Sequence, residues 1–271
     1  MTVQFDLAGE NAAPTHDAAT VLLLRDGPDE GETAGPRVFF VKRNAGARFM
    51  GGAYVFPGGR LDPGDCAGDV PCDLDAATAA KRLGESDAAR ALGLHVAALR
   101  ESLEEAGLLL ATAAVPFGVI ASLRAVLSPR GAPPIGPLLR ERGITLRVSA
   151  LAFLARWVTP RAETRRFDAR FFVARADAHL DEATHDGGET VDSAWLTPRE
   201  AIARAERKEI VLAPPTWWTL HTLRDARDVD DALARAPFDL TPVEPRVEPR
   251  DDKLCVVLPE GASASLREQL P

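Results

Sequence analysis

Two rhythms of apolar residues run along this chain. Short apolar runs rich in valine, leucine and phenylalanine come first, in "ATVLLLRD" (19–26) and "PRVFFVKR" (36–43), separated by the polar, glycine-rich "GPDEGETAG". Runs of that length bounded by turn formers predict two strands joined by a loop. "NAGARFMGGAYVFPGGRLDPGD" follows, with turn formers every few positions around the patch "AYVF", and predicts a structured loop. The rhythm then changes. From Ala76 to Leu110 alanine, leucine and charged residues dominate, and Leu92, Val96, Leu99, Leu103, Ala106 and Leu110 recur at spacings of three and four. That period predicts an amphipathic helix, preceded by a shorter one, with Ser86 or Asp87 as N-cap and Gly107 unwinding its end.

Strand-like runs return in "SALAFLARWVTP", "FDARFFVARAD" and "SAWLT", and helical ones in "PREAIARAERKE", with Pro198 in its first turn, and "PPTWWTLHTLRDAR". Strands, then helix, then strands, then helices predict a mixed sheet with helices packed on it, an α/β (α+β) sandwich. From Ala236 onward the chain is proline-rich and charged, apart from "KLCVVLP", which has the composition of an edge strand. No internal repeat is visible. The uncharged stretch "AGLLLATAAVPFGVIASL" (106–123) is too weakly apolar for a membrane span and reads as a buried helix end followed by a loop or short helix.

At 271 residues the chain can bury a sizeable core as one elaborated domain. Its net charge of -8 argues against nucleic acid as a partner and for a small molecule. If that molecule is an anion, metal ions or placed arginines must offset the repulsion. Three cysteines, Cys66, Cys72 and Cys255, form no disulfide framework and fit a reducing cytoplasm as free thiols, and "MTVQFDLAGENAAPTHDAA" has neither the basic nor the apolar part of a signal peptide.

Candidate chemistry concentrates in "ALRESLEEAG", where Glu101, Glu104 and Glu105 stand together. At about 100° per residue they lie almost opposite the apolar stripe, so one face packs and the other presents carboxylates. Like charges at these spacings are mildly destabilising on a helix, and Arg100 relieves Glu104 only in part. A solvated acidic face is one reading. The other is a divalent-metal site, because hard cations want oxygen ligands and one helical face delivers three of them.

The residues upstream decide between the two. Gly59, five residues, Asp65, a gap, and then Arg100, Glu101, Glu104, Glu105, Gly107 and Leu108 resemble the Nudix box, the loop-helix signature of Nudix hydrolases. Three positions depart from it: Asp65 replaces the first glutamate, Ser102 an aliphatic residue, and Cys66 to Leu99, 34 residues, stand where the pattern has seven. Ahead of the box, Arg43, Arg48, Gly52 and "FPGG" (56–59) keep the spacing of a signature of the coenzyme A diphosphatase branch, although Phe39, Phe40, Val41 and Asn44 depart from it.

The resemblance implies a Nudix α/β/α sandwich over 18–227, with a short N-terminal segment (1–17), an insertion and the start of the catalytic helix at 66–99, and a C-terminal extension (228–271); the sequence does not decide whether the insertion covers the pocket or mediates a homodimer. It implies hydrolysis of a diphosphate linked to another moiety, with Mg2+ (Mn2+ as the alternative) held by Glu101, Glu104 and Glu105, one of them acting as base, and Arg100 orienting a glutamate. Arg43, Arg48, Gly58 and Gly59 would contact substrate, the arginines suiting the extra phosphate of coenzyme A. Glu163 and Glu189 are candidates for a further acidic ligand, and Arg165, Arg166 and Arg170 for a second phosphate contact. Trp217 and Trp218 read first as core, with adenine stacking as the alternative. ADP-ribose or a nicotinamide dinucleotide remains an alternative substrate, and a non-hydrolytic Nudix-fold binding domain an alternative function.

Overall fold

The computed structural model describes residues 13–27, 34–46, 50–128, 131–176, 190–236, 240–250 and 253–258. Arg48 and Glu189 lie outside them. The two early strands are β1 (Thr15–Arg25) and β2 (Arg37–Arg43), and the expected turn-rich loop contains two more short strands, β3 (Ala53–Val55) and β4 (Gly58–Arg60). After β5 (Ala152–Val158), β6 (Arg166–Arg175), β7 (Thr190–Leu196) and β8 (Val211–Leu212), the main sheet runs β5-β6-β1-β2-β3-β8, with β4 added to β1 and β7 to β2. Pairing of β1 with β6 and of β3 with β8 is parallel and the rest antiparallel, so the sheet is mixed as expected.

One feature of this sheet positions the site. β1 meets β2 only at Leu24 and Arg25, and the two then diverge. β4 fills the opening, with Ala18, Ala19 and Thr20 opposite Arg60, Gly59 and Gly58. Two consecutive glycines therefore sit on the sheet surface directly beneath a helix.

That helix is α2 (Ala88–Ala106), preceded by α1 (Ala76–Leu83). Asp87 caps α2, its side chain accepting from the Arg90 amide, and Gly107 ends it in the left-handed conformation at φ 67°. Leu110 falls beyond the helix end. With α3 (Phe117–Leu127) and α4 (Ile135–Glu141), these helices cover one face of the sheet, where Leu94, Leu99, Leu103 and Leu123 pack on Ala19, Val21, Leu23, Phe39 and Val41. On the other face α5 (Pro198–Glu206), α6 (Pro214–Leu223) and α7 (Val229–Ala234) pack on Leu22, Leu24, Val38 and Phe40. The strict alternation along β1 and β2 is what builds a three-layer α/β/α sandwich. Trp218 belongs to the second layer, stacked on Trp157 at 5.7 Å, which is core packing.

The residues inserted at 66–99 are part of the packed structure. They form the end of a short 3-10 turn (Pro63–Cys66), α1, and three additional turns at the start of α2. Ala79 and Leu83 of α1 are buried in the core. A partly buried ionic network then ties the insertion to the sheet: Glu85 pairs with Arg90 and Arg170, Arg90 with Asp17 at 2.5 Å, and Arg170 and Arg156 with Asp168 at 2.8 and 2.7 Å. Arg170 is only 1% exposed. Arg166 is likewise buried and paired with Glu244, and Arg165 lies over the Phe167 ring. The basic cluster at 165–170 therefore holds structure together, and Arg166 and Arg170 are not available to phosphate.

The C-terminal apolar run forms β10 (Lys253–Val257), which pairs with β9 (Arg246–Arg250) as a separate two-stranded ribbon and not with the main sheet. Among the described residues no helix is long and apolar enough to cross a membrane.

Candidate active site

The last two turns of α2 carry Arg100, Glu101, Glu104 and Glu105, and they form a largely enclosed site rather than a solvated acidic face. Arg100 is 6% and Glu105 4% exposed. The short 3-10 turn and β4 cover this side of the helix, and α3 lies against its C-terminal end.

Arg100 is the hub. Its Nε and Nη2 donate to the two carboxylate oxygens of Asp65 at 2.9 and 3.0 Å, and Nη1 donates to Glu101 at 2.9 Å and Glu104 at 3.1 Å. Nη2 also donates to the Arg60 carbonyl at 2.8 Å, tying the hub to β4. Asp65 accepts in addition from the Asp62 amide at 2.9 Å. The 3-10 turn thus aims Asp65 at Arg100 although 34 residues intervene, because the inserted helix re-enters in line with the box helix. A planar guanidinium is needed here, since no lysine serves four acceptors in a fixed fork.

The glycines of β4 explain the rest of the geometry. A Cβ on Gly59 would fall 2.4 Å from the Glu101 carboxylate, so its absence leaves the space that the carboxylate fills. A Cβ on Gly58 would strike the Ala19 carbonyl at 2.5 Å, and its amide donates to Glu105 at 3.1 Å. Arg43 ends β2 opposite Thr190, whose hydroxyl approaches the Glu105 carbonyl at 3.4 Å. The Arg43 Nε is buried and has no hydrogen-bond partner. Glu163 sits in the turn before Arg166, which pairs with Thr15; that is four strand residues from Ala19, about 13 Å at ~3.3 Å per residue, from the strand level of Glu101.

Burial sets the electrostatics. It pushes the Glu101 carboxyl up to about 7, with Arg100 opposing the shift and the charge of Glu104 adding to it. Glu104 and Asp65 are also raised, again chiefly by burial and against the pull of Arg100. Arg100 loses by burial but gains more from Glu101, Asp65 and Glu104, so it stays firmly charged. Three carboxylates on the one Arg100 guanidinium leave a local excess of negative charge that a cation would relieve.

Among the described residues no three His, Cys, Asp or Glu side chains are already gathered to hold a metal ion. Glu101 and Glu104 turn to Arg100 and Glu105 to the Gly58 amide. The donor set is nonetheless the all-oxygen, multiply charged one that Mg2+ and Mn2+ require. Glutamate side chains reorient at small cost, so their present hydrogen bonds do not bar them from a cation. Cys66 and Cys72 are free thiols and take no part.

Three contributors were not visible in the sequence reading. Arg124 of α3 donates from Nε to the Glu104 carbonyl at 3.0 Å and from Nη2 to the Glu105 carbonyl at 2.8 Å. Thr190 belongs to the same junction. Gly93 gives Cys66 its place, since a Cβ there would fall 2.5 Å from the Cys66 sulfur, two turns before the hub. A signal existed for Arg124: it is the one charged residue between Ala106 and Leu127.

A model of the NUDT19 Nudix domain matches residues 74–223, more than half of the chain and including α1, all of α2 and α3. The chain belongs to this Nudix family. Among its relatives, the acyl-coenzyme A diphosphatase NUDT19 of Gallus gallus is 29% identical, with 79% of this chain and 69% of the relative covered. The Homo sapiens protein of the same name is 27% identical, covering 79% of this chain and 70% of the relative. Of solved structures, a NUDIX hydrolase from Alicyclobacillus acidocaldarius superposes with a TM-score of 0.68 at 28% identity, over 83% of this chain and 98% of that one. The inserted residues from Leu74 onward fall within the matched span.

Proposed function

We propose that the protein is a divalent-metal-dependent diphosphatase that hydrolyses coenzyme A or acyl-coenzyme A to 3',5'-ADP and (acyl-)phosphopantetheine. The observation that carries the reading is the Arg100 hub, which gathers Glu101, Glu104 and Asp65 beside a glycine strand that leaves the Glu101 carboxylate room. Water adds to one phosphorus of the diphosphate and the bridging P–O bond breaks, so each product keeps one of its two phosphates, the 3'-phosphate stays on the adenosine product, and one proton must be taken from the water. Glu101, Glu104 and Glu105 would hold Mg2+, with Mn2+ a substitute, and the bound ion supplies Lewis-acid neutralisation of the diphosphate oxygens.

The chain's own groups supply the remainder. Glu101, with its carboxyl near 7 when no cation is present, is suited to accept a proton close to neutral pH. Arg100 keeps Glu101 and Glu104 in fixed orientation through charge-assisted bonds. Arg43 and Arg48 would bind the 3'-phosphate, and the unpartnered Arg43 Nε favours that role. The names of the NUDT19 relatives support the substrate class. Free Cys66 and Cys72 support a reducing compartment, which we take to be the cytoplasm.

Turnover of coenzyme A and dephospho-coenzyme A by the wild type and by Arg43→Ala tests the substrate. A selective rise in KM for coenzyme A is expected. Equal loss on both would turn the reading toward ADP-ribose or a nicotinamide dinucleotide, since neither test compound would then report a 3'-phosphate contact.

A further inference from the structure

We propose that Arg124, on α3 and outside the sequence signature, is a positioning residue for the metal-binding end of α2. The inference rests on the metal reading given above. The end of α2 is closed by two backbone bonds, from Gly107 to the Leu103 carbonyl at 2.9 Å and from Leu108 to the Ser102 carbonyl at 3.2 Å. Helix ends leave four carbonyls without helical partners, and these two bonds do not reach the next two, those of Glu104 and Glu105. Arg124 takes both with one planar fork, at 3.0 and 2.8 Å. Its charge stands where the helix dipole is negative. The two backbone positions it fixes are those whose side chains would hold the cation, so Arg124 sets where these carboxylates start from.

This explains why one charge interrupts the apolar run from Ala106 to Leu127, on a helix that otherwise buries Ile120, Leu123 and Leu127. Lysine would not replace it, because an ammonium is a point donor while two adjacent carbonyls call for a fork.

The test is Mn2+ affinity of the full chain without substrate, read from the resonance signal of free Mn2+. Removing groups that orient metal ligands typically costs about 10- to 100-fold in affinity, and Arg124→Ala is expected to fall in that range. Arg124→Lys should lie between Arg124→Ala and wild type. Asp87→Ala removes the cap at the other end of α2, and should lower the melting temperature while leaving Mn2+ affinity unchanged.

Arg124→Ala binding Mn2+ within about 2-fold of wild type, far below the usual cost, overturns the proposal. So does Asp87→Ala weakening Mn2+ as much, since any loosening of α2 would then suffice. If Arg124→Ala does not fold, Arg124→Lys decides, and wild-type affinity in it overturns the proposal. A wild-type protein that binds no Mn2+ fails earlier and removes the metal reading itself.

Discussion

Replacing Asp65 by alanine isolates what holds the hub together. Asp65 takes two of the five hydrogen bonds that Arg100 donates, at 2.9 and 3.0 Å, and its own side chain is essentially buried. Removing one partner of a buried ion pair costs about 3–5 kcal/mol, because the other charge stays in low dielectric uncompensated. Arg100 keeps Glu101, Glu104 and the Arg60 carbonyl, which places the expected loss at the lower end, about 3 kcal/mol. Burial already opposes the charge on Asp65 and raises its carboxyl pKa, which further argues against the upper end. For a chain of this size about 3 kcal/mol lowers the melting temperature by roughly 6–12 °C.

Activity should fall further than stability explains, because Arg100 would be free to swing from Glu101 and Glu104 toward solvent. Asp65→Asn keeps the shape and one acceptor, and should cost about half as much. Differential scanning calorimetry, together with steady-state kinetics well below the melting point, measures both effects. A melting temperature for Asp65→Ala within about 2 °C of wild type, with kcat unchanged, would refute the claim that this aspartate anchors the site across the insertion.

Three further outcomes are expected. Gly59→Ala drives a methyl group into the Glu101 carboxylate, and a displacement of about 1 Å there should lower kcat by roughly 100-fold with a folded protein by circular dichroism. His95 is fully buried on Phe172 and burial holds its pKa down to about 4. The unfolded chain therefore takes up a proton first as pH falls through 6.5, and by pH 5 this one side chain costs about 2 kcal/mol that is absent at pH 8; urea midpoints should show that loss in wild type and its absence in His95→Leu. Arg170→Met leaves Glu85, Asp17 and Asp168 with too few cations, and should destabilise by about 3–5 kcal/mol while opening 66–99 to limited proteolysis, with cleavage sites read by mass.

The sheet and its covering helices were legible because β1, β2 and α2 carry strong single periods. The box glutamates were legible because residue type and spacing are fixed by the chemistry. The burial of their face was not. A helical wheel assigns the side opposite the apolar stripe to solvent, and α2 contradicts it because its polar side is covered by a turn and a glycine strand that supply hydrogen bonds in place of water. β3 and β4 were hidden in glycine-rich sequence for a related reason: they pair through the backbone, and Gly58 and Gly59 are selected for what they leave empty. The Arg170 network was misread because composition cannot distinguish an arginine waiting for phosphate from one enclosed by carboxylates brought in from β1, β6 and the insertion. Arg124 stands out as the one charge in an apolar run, but its role needed the contact of α3 with α2, which no local pattern encodes.

The central claim is that the Arg100 hub and its glutamates hydrolyse a diphosphate. The most direct measurement is mass analysis of products after the wild type, and Glu104→Gln beside it, are incubated with Mg2+ and coenzyme A, acetyl-coenzyme A, ADP-ribose or NADH. Wild type should release 3',5'-ADP and the matching phosphopantetheine from the first two compounds, and Glu104→Gln should lose those products. No cleavage of any of the four by wild type, or undiminished cleavage by Glu104→Gln, would contradict it.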